Sequence, residues 1–388
     1  MSRHRRPALA LLGLALALLP ALQACGSSSH KPAASPGPSS STAPAGQQSA
    51  AANPAGVYAA DGANMLVAAT KDVPPRIYVP NHGAGTISVI DPATMKVIDT
   101  FPSAPGTQHV VPSWDLSTLY AANDEGGYSL TPIDPHTGRR AGPNIPVSDP
   151  YNMYFTPDGG YAIVIEEAER KLTFRDPHTW RIHDTTHVTC SGVNHVDFSA
   201  DGSYFLATCE FDGELVKVDT ATHKVLGYLK IGGMPQDIKI DPAGKVWYVT
   251  DMQRGGVHLI DGNALKEIGF LPTGPEAHGL YPSRDARQLY ISNRGGPRDQ
   301  GSVSVLDFAT RTVVATWPIP APSTPDMGGV SADGRTLWLS GRRNDEVYAI
   351  DTTNGHLIAR IKVGREPHGL CVWPQPGRYS LGHTGILR

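Results

Sequence analysis

Seven residues with ligand-bearing side chains recur along this chain of 388 residues: His109, Asn152, His195, Asp237, His278, Met327 and His368. Four are histidines, in a chain that holds 15. Imidazole nitrogens joined by one carboxylate and one thioether suit a transition metal such as Cu, Zn or Fe. Three histidines with an open position are also the donor pattern of catalytic zinc. His195, His278 and His368 are the first choice of ligands, then His109, with Asp237 beside them; Asn152 and Met327 suit ligand contacts. The same residues also fit a plainer role, as solvated side chains at the mouth of a wet channel. Either role needs residues far apart in sequence to meet at one axis, and that requires a repeating architecture.

A repeat is present. An apolar residue, an aspartate and a short polar turn recur at Asp91, Asp134, Asp176, Asp219, Asp261, Asp307 and Asp351, in steps of 43, 42, 43, 42, 46 and 44 residues. Strand-rich units of this period are the mark of propeller blades. Each unit holds four strand candidates; in the fourth they are 193–199, 204–209, 214–218 and 224–231. Short β-rich runs separated by Gly, Asp and Pro are what a four-stranded antiparallel blade needs. The predicted fold is all-β, a seven-bladed β-propeller of four-stranded antiparallel blades; seven aspartate turns favour seven blades over eight. The first strand of each unit, strand A, is innermost, so the seven residues above, read as one equivalent position early in that strand, converge at the channel mouth. The aspartates themselves read as caps of their turns. Trp114, Trp180, Trp247, Trp317, Trp338 and Trp373 read as packing between blades. Near the chain ends, 65–69 and 378–381 are strand candidates, and the two ends are expected to complete one shared blade.

The loops that share the channel-mouth face divide by charge. Units two to four bring Asp124, Glu125, Glu166, Glu167, Glu169, Glu210 and Asp212; units five to seven bring Arg254, Arg294, Arg298, Arg342 and Arg343. Of these, Glu166, Glu210, Arg294, Arg342 and Arg343 are the candidate ligand contacts. A bowl acidic on one side and basic on the other suits a dipolar or zwitterionic ligand, although ordinary solvated loops would carry the same charges.

The first 25 residues read as a signal peptide. Arg3, Arg5 and Arg6 precede an apolar run, 8–22, that is too short to span a bilayer comfortably. The run ends in Leu22-Gln23-Ala24-Cys25-Gly26, which resembles a bacterial lipobox with Cys25 as the lipidated residue. Residues 26–56 are rich in Ser, Ala, Pro and Gly and read as a tether unable to bury a core; 57–388 form the propeller. Cys190 and Cys209 suit a disulfide in an oxidising compartment, while Cys371 reads as a buried thiol. The Cys-x-x-Cys-His pattern of covalent haem, the Gly-x-Ser-x-Gly elbow of α/β-hydrolases and the Walker phosphate loop do not occur. A net charge of -3 gives no footprint for nucleic acid.

The segments Ile77-Tyr78-Val79-Pro80-Asn81, Leu119-Tyr120-Ala121-Ala122-Asn123, Trp247-Tyr248-Val249-Thr250-Asp251 and Leu289-Tyr290-Ile291-Ser292-Asn293 resemble the repeat of the YVTN-type, YncE-like β-propellers. The turns at Asp158-Gly159, Asp201-Gly202 and Asp333-Gly334 resemble the turn of the same repeat. The likeness covers about residues 65–381. It implies the propeller fold and leaves function open, since one architecture hosts many activities. The leading expectation is a monomeric lipoprotein, exported and held to the membrane by its lipid anchor. It would face the periplasm or cell exterior and bind a small ligand or an envelope protein on its loop face. The alternative is a metal- or His-dependent enzyme, a lactonase-like hydrolase, a lyase or an oxidoreductase.

Overall fold

The computed structural model describes residues 56–388. The signal segment, Cys25 and the tether through residue 55 lie outside the described residues. Gly56, the last residue assigned to the tether, opens a short 3₁₀ turn, Gly56–Tyr58.

Seven antiparallel sheets form the propeller, each built from the same local instructions. Strand A is wholly buried although it carries polar residues among its apolar ones, as in Val193–Phe198, Pro235–Ile240 and Pro325–Val330. The outermost strand D shows every second residue to solvent, as in Thr312–Pro318, because alternate side chains of a strand point to opposite faces. The repeated aspartates close strand C. Asp219 Oδ1 accepts from both the amide and the hydroxyl of Thr222 at 2.7 Å, and Asp91, Asp134, Asp176, Asp261, Asp307 and Asp351 cap their turns in the same way. In the second blade, strand D is broken into Arg139–Arg140 and Ile145–Pro146; Gly142 and Pro143 intervene, and proline has no amide hydrogen to give a ladder.

Between blades, large side chains interlock. Trp338 packs on Ile77, Val79 and Ile90 of the first blade, and Trp247 packs on Tyr204 and Leu206 of the fourth. Trp180 meets Tyr120 edge-on at 5.0 Å. Cys190 and Cys209 are joined in a disulfide with Cα atoms 5.9 Å apart, and Cys371 is a buried free thiol.

The ring closes by sharing a blade. Cys371–Trp373, near the chain's end, is strand A of the first blade and pairs with Arg76–Asn81, which continues into Thr86–Asp91 and Lys96–Pro102. Two strand expectations fail around this joint. Residues 65–69 form turns, with Met65 N bonded to Gly62 O and Thr70 N to Val67 O. Residues 378–381 do not supply strand B, because Arg76–Asn81 already fills that place. Instead Ser380–Gly382 folds back on Ile386–Leu387, and Gly382 pairs with Tyr154 in strand A of the third blade.

Both ends of the described residues therefore lie over the A–B turns. Val57 N donates to Pro242 O, Asn64 N to Ala332 O and Ser380 N to Trp114 O. Arg388 reaches Asp197 at 2.8 Å. This end of the channel is covered, and the D–A and B–C loops surround the other. Among the described residues, no helix is long and apolar enough to cross a membrane.

Candidate functional site

Strand pairing fixes which residues are equivalent. Thr107, Val193, Pro235, Ala277 and Pro325 each open strand A and pair with the last residue of strand B, and a register shift follows; Pro367 makes the corresponding bridge to Asn81. By this register His109, Asn152, His195, Asp237 and Met327 share the third position. His278 and His368 do not: they stand at the second, beside Gln108, Tyr151, Asn194, Gln236 and Asp326. Glycines 279 and 369 hold the third place in those two blades. A Cβ on Gly369 would stand 2.1 Å from the His109 ring, so that strand must be bare for the imidazole to fit. The local bulge lets consecutive side chains reach the axis, and the site has two tiers.

The tier nearer the loops is organised by Asp326. Its Oδ2 lies 2.7 Å from His368 Nδ1, and its Oδ1 lies 3.0 Å from His278 Nδ1 and 2.6 Å from an Arg294 nitrogen. Arg294 also donates to His278 Nε2 at 2.8 Å. Since a guanidinium only donates, His278 carries its proton on Nδ1. Burial pushes the Asp326 carboxyl up, but Arg294, His278 and His368 together hold it well below the usual range. Burial and the nearby Arg342 hold His368 well below 6.5, and burial with Arg294 lowers His278 to about 3. Both imidazoles are neutral bases at pH 7.

The deeper tier holds His109 and His195, joined by His383 from the C-terminal hairpin. All three are buried, and their ring centres lie 5.6 Å (His109–His195), 5.5 Å (His109–His383) and 5.0 Å (His195–His383) apart. His109 Nδ1 donates to the Tyr151 carbonyl at 2.9 Å. Asp237 is fixed by the amides of Ile238 and Leu280, each at 2.8 Å, and by Lys239 at 3.2 Å. Burial opposes its charge, but Lys239 and His383 keep it ionised.

The predicted ligand contacts separate. Glu166 is not on the rim: it is fully buried and paired with Lys171 at 3.0 Å and Arg175 at 3.1 Å, because it ends strand B and faces the blade interior. Asn152 bonds the Tyr154 hydroxyl, and Met327 packs its sulfur against His278. Arg343 is tied to Glu276 and Asp299 on the rim. Arg294 folds inward onto Asp326. Glu210 accepts from Asn194 at 3.1 Å. Arg342 is half-buried and, among the described residues, has no carboxylate at ion-pair distance. On the same face, Glu167 Oε1 is buried with no partner. Burial, then Glu210 and Asp124, raise the Glu167 carboxyl to about 8, and burial raises Asp124 to about 7. Tyr151 lies between these groups: after burial, Glu167 and Glu210 raise its hydroxyl pKa while Arg342 pulls it down.

Sequence reasoning missed Asp326, Tyr151 and His383. The first two sit one residue before a position that was singled out, so correct strand register would have found them. His383 lies outside the repeat and carries no such signal.

Fold and site together define a seven-bladed propeller with a polar axial site reached from one face. A profile of the YncE-like β-propellers matches residues 49–376, and the chain belongs to that family. It is 30% identical over 143 residues to YncE of Salmonella typhi, covering 35% of this chain and 38% of that one. It is 26% identical over 160 residues to the seven-bladed β-propeller protein Rv1057 of Mycobacterium tuberculosis, covering 40% of each. The matches thus span about two fifths of these relatives. Among solved structures, a putative 6-phosphogluconolactonase of Bacteroides uniformis superposes with a TM-score of 0.63 at 16% identity, covering 77% of this chain and 99% of that one. Hydrazine synthase of Kuenenia stuttgartiensis superposes at 0.59 and 18% identity, covering 69% and 89%. These likenesses are of fold.

Proposed function

We propose that this protein is an exported, lipid-anchored binding propeller that takes a small dipolar ligand into the bowl of its loop face. One observation carries the reading: a half-buried guanidinium without a carboxylate partner, Arg342, shares the mouth with a carboxylate oxygen of Glu167 that has no partner either. Buried polar groups left unpaired are costly, and a ligand satisfies both when its anionic group meets Arg342 and its cationic group draws the proton off Glu167 and pairs with the carboxylate. Because residues 57–64 and the C-terminal hairpin cover the opposite face, entry is from the loop side. Thermal-shift screening with free amino acids, dipeptides and betaines tests this. A rise in melting temperature that is lost in Arg342→Gln and in Glu167→Gln supports the bowl; a rise unchanged in both variants, or none with any of these probes, overturns it. The anchor is tested separately by fatty-acid labelling, which Cys25→Ser abolishes if Cys25 is the lipidated residue.

A second reading has its own observation. Asp326 holds His368 through Nδ1, which leaves Nε2 to act as a general base, the arrangement used in acid–base catalysis. Under this reading the chain hydrolyses or eliminates from a bowl-bound substrate. Turnover of lactone or ester probes that falls at least about 100-fold in His368→Ala, the usual worth of a general base, distinguishes an enzyme from a binding protein.

A further inference from the structure

Blades two to four bring the carboxyls of Asp124, Glu167 and Glu210 together at the mouth. Glu167 feels the charge of the other two, with Asp149 and Glu125 behind them. The basic groups beside this wall serve other partners: Lys171 pairs with Glu166 and Glu169, and Arg294 with Asp326. Carboxyls crowded in this way either keep a proton or gain a cation.

A neighbouring side chain points independently to a ligand. Gln108 is 5% exposed, and its Nε2 donates to Asp124 Oδ2 at 3.0 Å. Its Oε1 is left as a buried acceptor with no partner, and Glu167 Oε1 has none either. Such oxygens are satisfied by N–H donors. A primary ammonium carries three of them. A quaternary ammonium carries none and binds on aromatic faces instead. Tyr151, the aromatic ring at this floor, already packs edge-to-face with His109 at 5.2 Å and His195 at 5.7 Å. Among the described residues, no three His, Cys, Asp or Glu side chains are placed to hold a metal ion, so the cation that fits this wall is organic.

We infer that the cationic group of the bowl's ligand is a primary ammonium, held between Glu167 and Gln108 Oε1 with Asp124 and Glu210 around it. The inference rests on the binding reading above and narrows it, from any dipolar molecule to amines that also carry an anionic group. Regulation follows from the same contacts. Without ligand, the Glu167 carboxyl keeps its proton up to about pH 8, because burial and then Glu210 and Asp124 oppose its charge. An ammonium that pairs with the carboxylate expels this proton to solvent, so one proton leaves as the ligand enters and affinity rises with pH. Arg342, whose charge also reaches Tyr151 and Glu210, is left for the anionic group.

The test compares each amine with its own N-trimethyl counterpart. Glycine, β-alanine and 4-aminobutanoate, and the three corresponding betaines, are titrated into the full chain in a calorimeter at pH 7. The best-bound amine should bind at least about tenfold more tightly than its betaine. It should release about one proton, read from the heats in two buffers of different ionisation enthalpy, and gain about tenfold in affinity between pH 6 and 7. Gln108→Leu, which removes the neutral acceptor, should bring the amine-to-betaine ratio toward one. Where that variant fails to fold, the wild-type ratio and proton count decide. A betaine that binds as tightly as its amine, or amine binding without proton release, overturns the inference. If such binding is still lost in Arg342→Gln, the bowl reading stands without it. Binding of neither series overturns the bowl reading as well.

Discussion

Glu167 and the buried histidines pull stability in opposite directions with pH, and the signs can be worked out. The Glu167 carboxyl is raised to about 8 by burial and its acidic neighbours, so the folded chain holds a proton that the unfolded chain has lost. Stability from this group is present below the unfolded value of about 4.3 and falls as pH rises toward 8. His109, His195, His278, His368 and His383 are all lowered, first by burial. The unfolded chain therefore binds more protons below about 6.5, and stability falls as pH drops through that value. The melting temperature should peak near pH 6.5, and Glu167→Gln should flatten the descent between pH 6.5 and 8 and steepen the rise between about pH 4.3 and 6.5. A second expectation concerns Asp326, the shared partner of three basic groups. Asp326→Ala strands the buried Arg294 guanidinium and should cost about 3–5 kcal/mol by urea denaturation. None of this pairing was visible in sequence, where Asp326 stood unremarked beside Met327.

At the scale of the element, the turn and the strand differ in what they contribute. Asp219 is partly exposed, so Asp219→Ala loses only hydrogen bonds to Thr222 and should cost about 1 kcal/mol. Trp338 is wedged between the seventh blade and Ile77, Val79 and Ile90 of the first, so Trp338→Ala leaves a cavity at a blade interface and should cost about 3–5 kcal/mol. Denaturation midpoints of the two variants check the contrast. The strands were legible because apolar alternation and Asp-Gly turns are local signals. Residues 65–69 carried the same apolar signal and formed turns. A short run becomes a strand only when an edge is open to pair with it, and that is a tertiary condition.

For the whole molecule, closure is the event on which the fold depends. The first blade takes its inner strand, Cys371–Trp373, from the far end of the chain. Truncation after Val363 removes that strand and should abolish cooperative thermal unfolding. Truncation after Trp373 keeps the closure but removes Arg388 from Asp197 and His383 from the axis; it should lower the melting temperature while preserving the β-sheet circular dichroism. Sequence alone determined the number of blades, the four-stranded repeat and the axial placement of His109 and His195, because period and local patterning repeat every 40-odd residues. Only the tertiary structure decided that His278 and His368 belong to Asp326, that Glu166 is internal and that His383 joins the axis. Those outcomes depend on strand register and on where a non-repeating tail comes to rest, and both are set by long-range pairing that no local window contains.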